Sequence, residues 1–432
     1  MKRRSFGPID RRSLMLGGLS LAGGALALPA RGAGAWVDAL SAFSGDEDQD
    51  GEPPVLVVIE MFGGNDGLNT LVPYADDEYY RIRPKLKLDR EDLLTLDDEW
   101  ALNAKLAWLR GKYEEGHAAI VQGVGYPHPV YSHFKSLEIW HTGDLRGRVS
   151  GDGWLARLRA AAWPDDPRPE LLINVGMDEP YSVFSSTHGI LSFEVPEKYL
   201  WAGETSDRTA YQEAASTSTA AASMDASGKG GKLEARDQVL SRLYRTLRET
   251  QRTSPRVLEA AADYEASVDY PGGRFAGSLK TIAALIEARL GTRIFTTQLA
   301  GFDTHAGQVR RHREMLAEVD NGLSAFFADL AGRSTAKNVV VAVVSEFGRR
   351  AAENESHGTD HGAAGVTFLF GERVKGGLYG KPPSLTDLDA DGNLVFTTDF
   401  RSIYGTLIQD WFGLPQTAVL SAAYPRVPVF EA

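Results

Sequence analysis

VVVAVVSEFGRRAAENESHGTDHGAAG, residues 339–365, opens as an unbroken β-branched and apolar run and closes as a dense polar loop. A run without polar alternation suits a strand covered on both faces, as in a parallel sheet flanked by helices. The run stops at Ser345-Glu346, and Arg349, Arg350, His357, Asp360 and His361 follow. In open α/β sheets, ligands bind beyond the carboxyl ends of the strands, on loops carried by a rigid support. Gly358, Gly362 and Gly365 let the backbone pass close to whatever those side chains hold. Two histidines and nearby acids, Glu346 and Asp360, are ordinary ligands for zinc, manganese or iron. The competing reading is a solvated surface loop.

Three other segments repeat the pattern of a strand running into polar chemistry. Val55 to Phe62 is a buried-strand pattern ending in Gly63-Gly64-Asn65-Asp66-Gly67. Asp66 is either a turn residue or a ligand placed just past the strand end. Ile294 to Leu299 runs into Gly301-Phe302-Asp303-Thr304-His305. An acid and an imidazole so placed suit one metal or an acid–base pair, whereas the structural alternative has Asp303 capping a helix from Val309 to Leu330. Ala118 to Gln122 reads as a short strand, followed by Tyr126-Pro127-His128-Pro129-Val130-Tyr131-Ser132-His133 and a helical pattern over 134–140. Ser132 is placed as a helix N-cap, the simpler reading on spacing alone. The same position sets its hydroxyl beside free N–H groups that favour an anion, so it is also a candidate nucleophile. Further helices are expected over 106–115, 154–162 and 402–412 and further strands over 171–175 and 366–370, with an ordered loop over 73–88.

The chain has 432 residues, 43% of them hydrophobic, enough for one large soluble α/β domain. A formal net charge of -12 argues against a nucleic-acid surface. The absence of cysteine excludes disulfides, thiolate nucleophiles and Cys-ligated metals. Arg11-Arg12-Ser13-Leu14-Met15 and the apolar, glycine-rich run after it read as a twin-arginine export signal over 1–35, followed by an acidic linker over 36–54. Export to the periplasm or outside the cell, with the twin-arginine machinery as a partner, is the expectation. Two calcium-like starts, at Asp46 and at Asp387-Leu-Asp389-Ala-Asp391-Gly392, lack the carboxylate expected at the twelfth loop position, so calcium is rejected at the first and a turn is the simpler reading of the second. A Ser/Thr/Ala/Gly-rich stretch over 214–232 sits inside a low-complexity and helical insertion at about 203–290.

These motifs together resemble a large bacterial family of twin-arginine-exported proteins, a domain of unknown function (family number 1501) related to the alkaline phosphatase/sulfatase superfamily. The resemblance runs from Val55 to the C-terminus and rests on six motifs: Gly-Gly-Asn65-Asp66-Gly, Tyr-Pro-x-Pro-x-x-Ser132-His133-Phe134, Gly-Phe-Asp303-Thr-His305, Ser-Glu346-Phe-Gly-Arg349, Gly-Thr-Asp360-His361-Gly and Thr-Thr-Asp399-Phe-Arg401. It implies an alkaline-phosphatase-like three-layer α/β sandwich, with a mostly parallel central sheet between helices, and two metal ions held by Asp and His at strand ends. It also implies that Ser132 stands at the nucleophile position and that Asp66, Asp303, His305, Asp360 and His361 are metal ligands, with His357 an extra one. The pattern departs from the superfamily at Glu346, where an Asp-His pair would stand, and at the short Asp303–His305 spacing.

The reading that follows is an exported hydrolase of phosphate or sulfate esters, small molecules or glycans, using zinc, manganese or a similar divalent metal. Ser132, or a water, would attack, while His133 or Arg349 steadies the anion. The alternative is a non-catalytic exported scaffold or binding protein on the same fold. A redox metalloenzyme is a third class that fits twin-arginine export.

Overall fold

The computed structural model describes residues 53–199 and 252–430. The expected export signal, nearly all of the acidic linker, the low-complexity stretch and the part of the expected insertion up to 251 lie outside the described residues. Chain contacts separate one unit, 54–196 with 256–432, from another made of 1–53 with 197–255. Of the latter only 53, 197–199 and 252–255 are described, and there the Tyr199 hydroxyl lies 3.2 Å from Thr253 Oγ1. The first unit holds the sheet and the candidate site.

Its strands are β1 (Val55–Phe62), β2 (Leu71–Val72), β3 (Leu93–Thr95), β4 (Ala101–Asn103), β5 (Ala118–Gly125), β6 (Leu172–Val175), β7 (Leu191–Phe193), β8 (Ile294–Ala300), β9 (Val339–Val344), β10 (Gly365–Phe370), β11 (Gly377–Tyr379) and β12 (Thr398–Asp399). The main sheet has the order β11-β5-β10-β9-β1-β8-β6-β7, with β12 also on β5; β2, β4 and β3 form a small antiparallel sheet. All main-sheet pairings are parallel except those of β10 with β5 and β9. The mostly parallel α/β architecture read from the apolar runs is therefore the one observed. The reversal of β10 matters for the site. Because β10 runs backwards, it starts at the edge where β1, β5, β8 and β9 finish, and the residues just before it arrive at that same edge.

The helices include α1 (Asp77–Ile82), α2 (Ala107–Glu114), α3 (His133–Thr142), α4 (Trp154–Ala162), α5 (Arg274–Glu287), α6 (Gln308–Leu330) and α7 (Phe400–Thr406), the last running into a π-helical turn at Leu407–Trp411. The segment read as a loop over 73–88 contains α1, because Asp76 accepts the Glu78 N–H at 2.9 Å and nucleates a turn. Strands β2 to β4 are too short to show a period. Alternate residues Leu56, Val58, Val340, Ala342 and Val344 share one core with Ile139 and Trp140 of α3, Trp154 and Leu158 of α4 and Ile403 of α7. The interleaved Val57, Ile59, Val339, Val341 and Val343 are equally buried, so the sheet is covered on both faces. Helix α5, at the end of the expected insertion, packs its apolar face on β6, β8 and α6.

A buried polar layer fixes the exit from β1. Asp66 Oδ1 accepts the Leu68 N–H at 3.2 Å, capping the turn after the strand, and Oδ2 lies 2.6 Å from Arg83 Nη1. Both side chains are sealed from solvent, and the Gln308 amide at the start of α6 donates to the same carboxylate. Burial pushes the Asp66 pKa up, but the Arg83 charge and hydrogen bond carry it net below the usual range. One turn further along α6, His312 Nε2 meets Asn65 Oδ1 at 2.9 Å. Burial drives the His312 pKa down to about 4 from the ordinary 6.5, so the folded imidazole is neutral at pH 7.

The unfolded chain takes up a proton at His312 near pH 6.5, whereas the folded one resists until about pH 4. The unfolded state thus binds more protons in that window, and stability is lost as pH falls through it, by about 3 kcal/mol from this residue. Denaturant titrations between pH 7 and pH 4 should show a shallower decline in His312→Gln than in the parent protein. Parallel curves would remove His312 as a source of the acid sensitivity.

Candidate metal and hydrolytic site

Five chain segments meet at the carboxyl edge of the sheet. They are the exits from β1, β8 and β9, the approach to β10, and the link from β5 into α3. Close approach is built into the backbone. Gly63 has φ +122°, and a Cβ there would collide with the Asp303 backbone nitrogen; one at Gly358 would collide with the His305 backbone.

Asp303, from the β8 exit, is the centre. Its Oδ1 lies 3.1 Å from His305 Nε2 and 3.2 Å from His361 Nε2, and its Oδ2 is 3.5 Å from His133 Nε2. His305 Nε2 and His361 Nε2 are 2.9 Å apart. Each imidazole has an acceptor on its other nitrogen. His361 Nδ1 faces the Tyr131 carbonyl at 2.8 Å, His133 Nδ1 faces Glu346 Oε1 at 2.7 Å, and His305 Nδ1 faces Asp360 Oδ1 at 3.1 Å. A carbonyl or carboxylate accepts, so each Nδ1 carries the proton and each Nε2 presents a lone pair. Three lone pairs and a carboxylate aimed at one point repel one another unless a cation lies between them. Atoms bound to one ion at about 2.0–2.1 Å sit roughly 2.9–3.4 Å apart; the contacts among Asp303, His305 and His361 fall in that range, and His133 Nε2, at 3.5 Å from Oδ2, lies just outside it. The donor set therefore fits a divalent transition metal.

The acceptors behind the imidazoles are themselves held. Glu346 Oε1 also accepts the Gly63 N–H at 2.9 Å, and Asp360 Oδ1 accepts from Asn354 Nδ2 at 3.2 Å. Tyr131 is gripped from the acidic turn after β11, its hydroxyl 2.7 Å from Asn393 Nδ2 and 3.3 Å from Asp389 Oδ2. Asp389 Oδ1 accepts the N–H groups of Asp391 and Asn393, so the calcium-like segment is a self-satisfied turn. Burial opposes ionisation of Asp303, but the hydrogen bond and charge of Arg349 outweigh it and hold its pKa at about 2. The hydrogen bond to Glu346 raises the His133 pKa, and burial lowers that of His361. Asp303 and His305 are nearly half exposed, at 46% and 45% of their side chains, so the cluster opens to solvent on one side.

The expected site residues fall into three groups. His133, Asp303, His305 and His361 come together, with His133 a donor to the cluster in place of the anion-steadying role expected of it. Glu346 and Asp360 stand behind imidazoles as acceptors. Asp66, Arg349 and His357 take other places. The Asp66 carboxylate is sealed from solvent and enclosed by Arg83, Gln308 and the Leu68 N–H, so it does not join the cluster. Arg349 is fully buried and donates to the carbonyls of Gly63, Gly64, Phe302 and Thr359 and to Asp303, so it does not reach an incoming anion. His357, at φ 56° in an exposed turn, makes no side-chain hydrogen bond or ion pair among the described residues. With Asp66 and Glu346 engaged, the described residues offer donors for one ion rather than two. Ser132 occupies the N-cap position of α3, yet its side chain makes no capping bond, which corrects the expected structural job. Nor does Asp303 cap α6, whose first N–H groups donate to the carbonyls of Ser356 and His357. Asn354 and the Tyr131 carbonyl were not foreseen; only their neighbours in sequence, Asp360 and Ser132, pointed there.

The sequence pattern of a family described as "Protein of unknown function (DUF1501)" matches residues 124–421. No curated protein matches. Among solved structures, similar ones include Ps i-CgsB in complex with k-i-k-neocarrahexaose, at 13% identity and TM-score 0.38 over 87% of this chain and 75% of that one. The PsFucS1 sulfatase from Pseudoalteromonas sp. gives 13% identity and TM-score 0.37 over 91% and 75%. The lipoteichoic acid synthase LtaP from Listeria monocytogenes gives 7% and 0.32 over 86% and 75%.

Replacing Asp66 with Ala should strand the buried Arg83 charge and cost about 3–5 kcal/mol of unfolding free energy, leaving any bound metal in place. His305→Ala, at a half-exposed ring, should do the reverse, weakening metal retention with little loss of stability. Denaturant titration and elemental analysis of both variants check this pairing; metal lost in Asp66→Ala at unchanged stability would reverse the assignments.

Proposed function

The chain belongs to the family of proteins of unknown function DUF1501, and from that premise we propose that it is a metal-dependent hydrolase of phosphate or sulfate esters. The observation that carries the reading is the convergence of three Nε2 atoms, each fixed through its Nδ1, on the ionised carboxylate of Asp303. His133, His305, His361 and Asp303 would hold one divalent ion such as zinc or manganese. When bound, such an ion supplies Lewis-acid polarisation of an ester oxygen and a lowered pKa for a bound hydroxyl or water.

Ser132 supports the hydrolytic part of the reading. Its hydroxyl makes no hydrogen bond among the described residues and precedes His133 at the start of the ten-residue α3. The unpaired N–H groups of that helix's first turn favour the anionic group of the substrate. Ser132 Oγ, or a water, is the attacking oxygen, and the alcohol is the leaving group. Net, water adds across the O–P or O–S bond to give the alcohol and the inorganic anion. The reading includes twin-arginine export to the periplasm or beyond, which the Arg11-Arg12 signal pattern supports. A second reading, an exported binding protein without catalysis, is favoured by the internal engagement of Asp66 and Arg349.

Protein purified from the periplasm without chelator should carry about one metal equivalent, lost in an Asp303→Ala/His361→Ala double variant together with turnover of aryl phosphate or sulfate. Ser132→Ala should keep the metal and lose most of the turnover. Metal bound to a protein silent across the esters would favour the binding-protein reading. Absence of metal even after reconstitution would end the metal-dependent one.

A further inference from the structure

Arg349 and Arg350 are neighbours with opposite fates. Arg349 spends its guanidinium on carbonyls and on Asp303. Arg350 has its backbone fixed from both sides, its N–H donating to the Asp360 carbonyl at 3.0 Å and its own carbonyl accepting from Arg83 Nη2 at 2.9 Å. Its side chain, partly buried, makes no hydrogen bond or ion pair among the described residues, and its Nε is enclosed without a partner. Yet its charge reaches the carboxylate of Asp360, which faces His305, and the phenol of Tyr131, whose backbone carbonyl faces His361. A guanidinium partly withdrawn from water and left unpaired is costly, and a buried donor of this kind calls for a partner. Next to it, the site is open to solvent at Asp303 and His305.

The partner's chemistry follows from the donor. A planar fork of N–H groups pairs with two oxygens of one anion, and tetrahedral oxyanions present such pairs. We propose that Arg350 is the anion clamp of this site, holding the non-bridging oxygens of a phosphate or sulfate group whose ester bond lies at the His133–Asp303–His361 cluster. It fills the role that the sequence suggested for Arg349, one residue along. The inference rests on the hydrolase reading for where the ester lies, but anion capture, metal content and turnover are read by separate measurements.

Calorimetric titration of the full chain with inorganic phosphate and, separately, with sulfate tests it, alongside metal content for each protein. Arg350→Ala should weaken binding of the preferred anion about 10- to 100-fold at unchanged metal content. Arg350→Lys should recover only part of that, because an ammonium lacks the fork. The anion bound more tightly by the parent protein identifies the ester class. Should Arg350→Ala fold poorly by thermal unfolding, the Lys variant and Arg350→Gln carry the comparison. Binding by Arg350→Ala as tight as the parent's, or no binding of either anion by the parent, overturns the clamp while leaving metal content to judge the hydrolase reading. Arg350-dependent binding by a protein that takes up no metal upholds the clamp and overturns the hydrolase reading.

Discussion

One buried guanidinium underlies the geometry of this edge of the sheet. Arg349 donates through Nε to the Gly64 carbonyl at 2.8 Å, through Nη1 to that of Thr359 at 2.8 Å, and through Nη2 to Phe302 at 3.1 Å and Asp303 at 2.7 Å. It therefore ties the exits of β1 and β8 to the approach to β10, segments that lie far apart in the chain. Those loop carbonyls have no ladder partner, and left unpaired each would cost about 1–3 kcal/mol. The guanidinium in turn needs acceptors all round, because an enclosed charge survives only when paired and hydrogen-bonded. Each side of the arrangement satisfies a debt of the other. Asp303 is the consequence: held against a permanent cation, it stays ionised where burial alone would favour its neutral form.

From that fixed carboxylate the orientation of the imidazoles follows by three independent routes. Glu346 leaves β9 and turns His133 on α3; Asp360 turns His305 of the β8 exit; Tyr131, from the link before α3, turns His361 ahead of β10. No two rings share an acceptor, so displacement of one support does not swing the others. The rings of Phe62 and Phe347 pack 5.4 and 4.9 Å from that of His133 and close the apolar side. Orientation set by packing and outer hydrogen bonds is what gives a ligand set its affinity, since the ordering cost is met on folding.

The parallel sheet was legible because β1 and β9 are buried on both faces and so read as continuous apolar runs. The position of the site was legible for the same reason, through polar residues at the ends of those runs. What stayed hidden depended on partners distant in sequence. Asp66 looks like a strand-end ligand until Arg83, within a stretch read as loop, is seen to enclose it. Arg349 and Arg350 are indistinguishable as letters, and only the fold reveals which is spent and which is unengaged. Strands β2, β3, β11 and β12 have two or three residues each, too few for any periodicity to register. Ser132 was placed correctly at a helix start, but position alone does not say that its hydroxyl leaves the cap unmade.

Charge decides how such a site must work. The chain carries a formal -12, so an anionic ligand meets repulsion on approach and gains nothing from long-range steering. Locally, counted formally, the carboxylates of Asp303, Glu346 and Asp360 exceed the guanidinium groups of Arg349 and Arg350 by one negative charge. A cation-free cluster would then repel phosphate or sulfate twice over, at distance and in contact. One divalent ion reverses the local sign to net positive, and within a partly enclosed cleft that reversal is screened far less than surface charge. Metal binding and anion binding are thus coupled by electrostatics. On the proposed reading, the coupling confines attraction for a phosphate or sulfate group to the metal-loaded site.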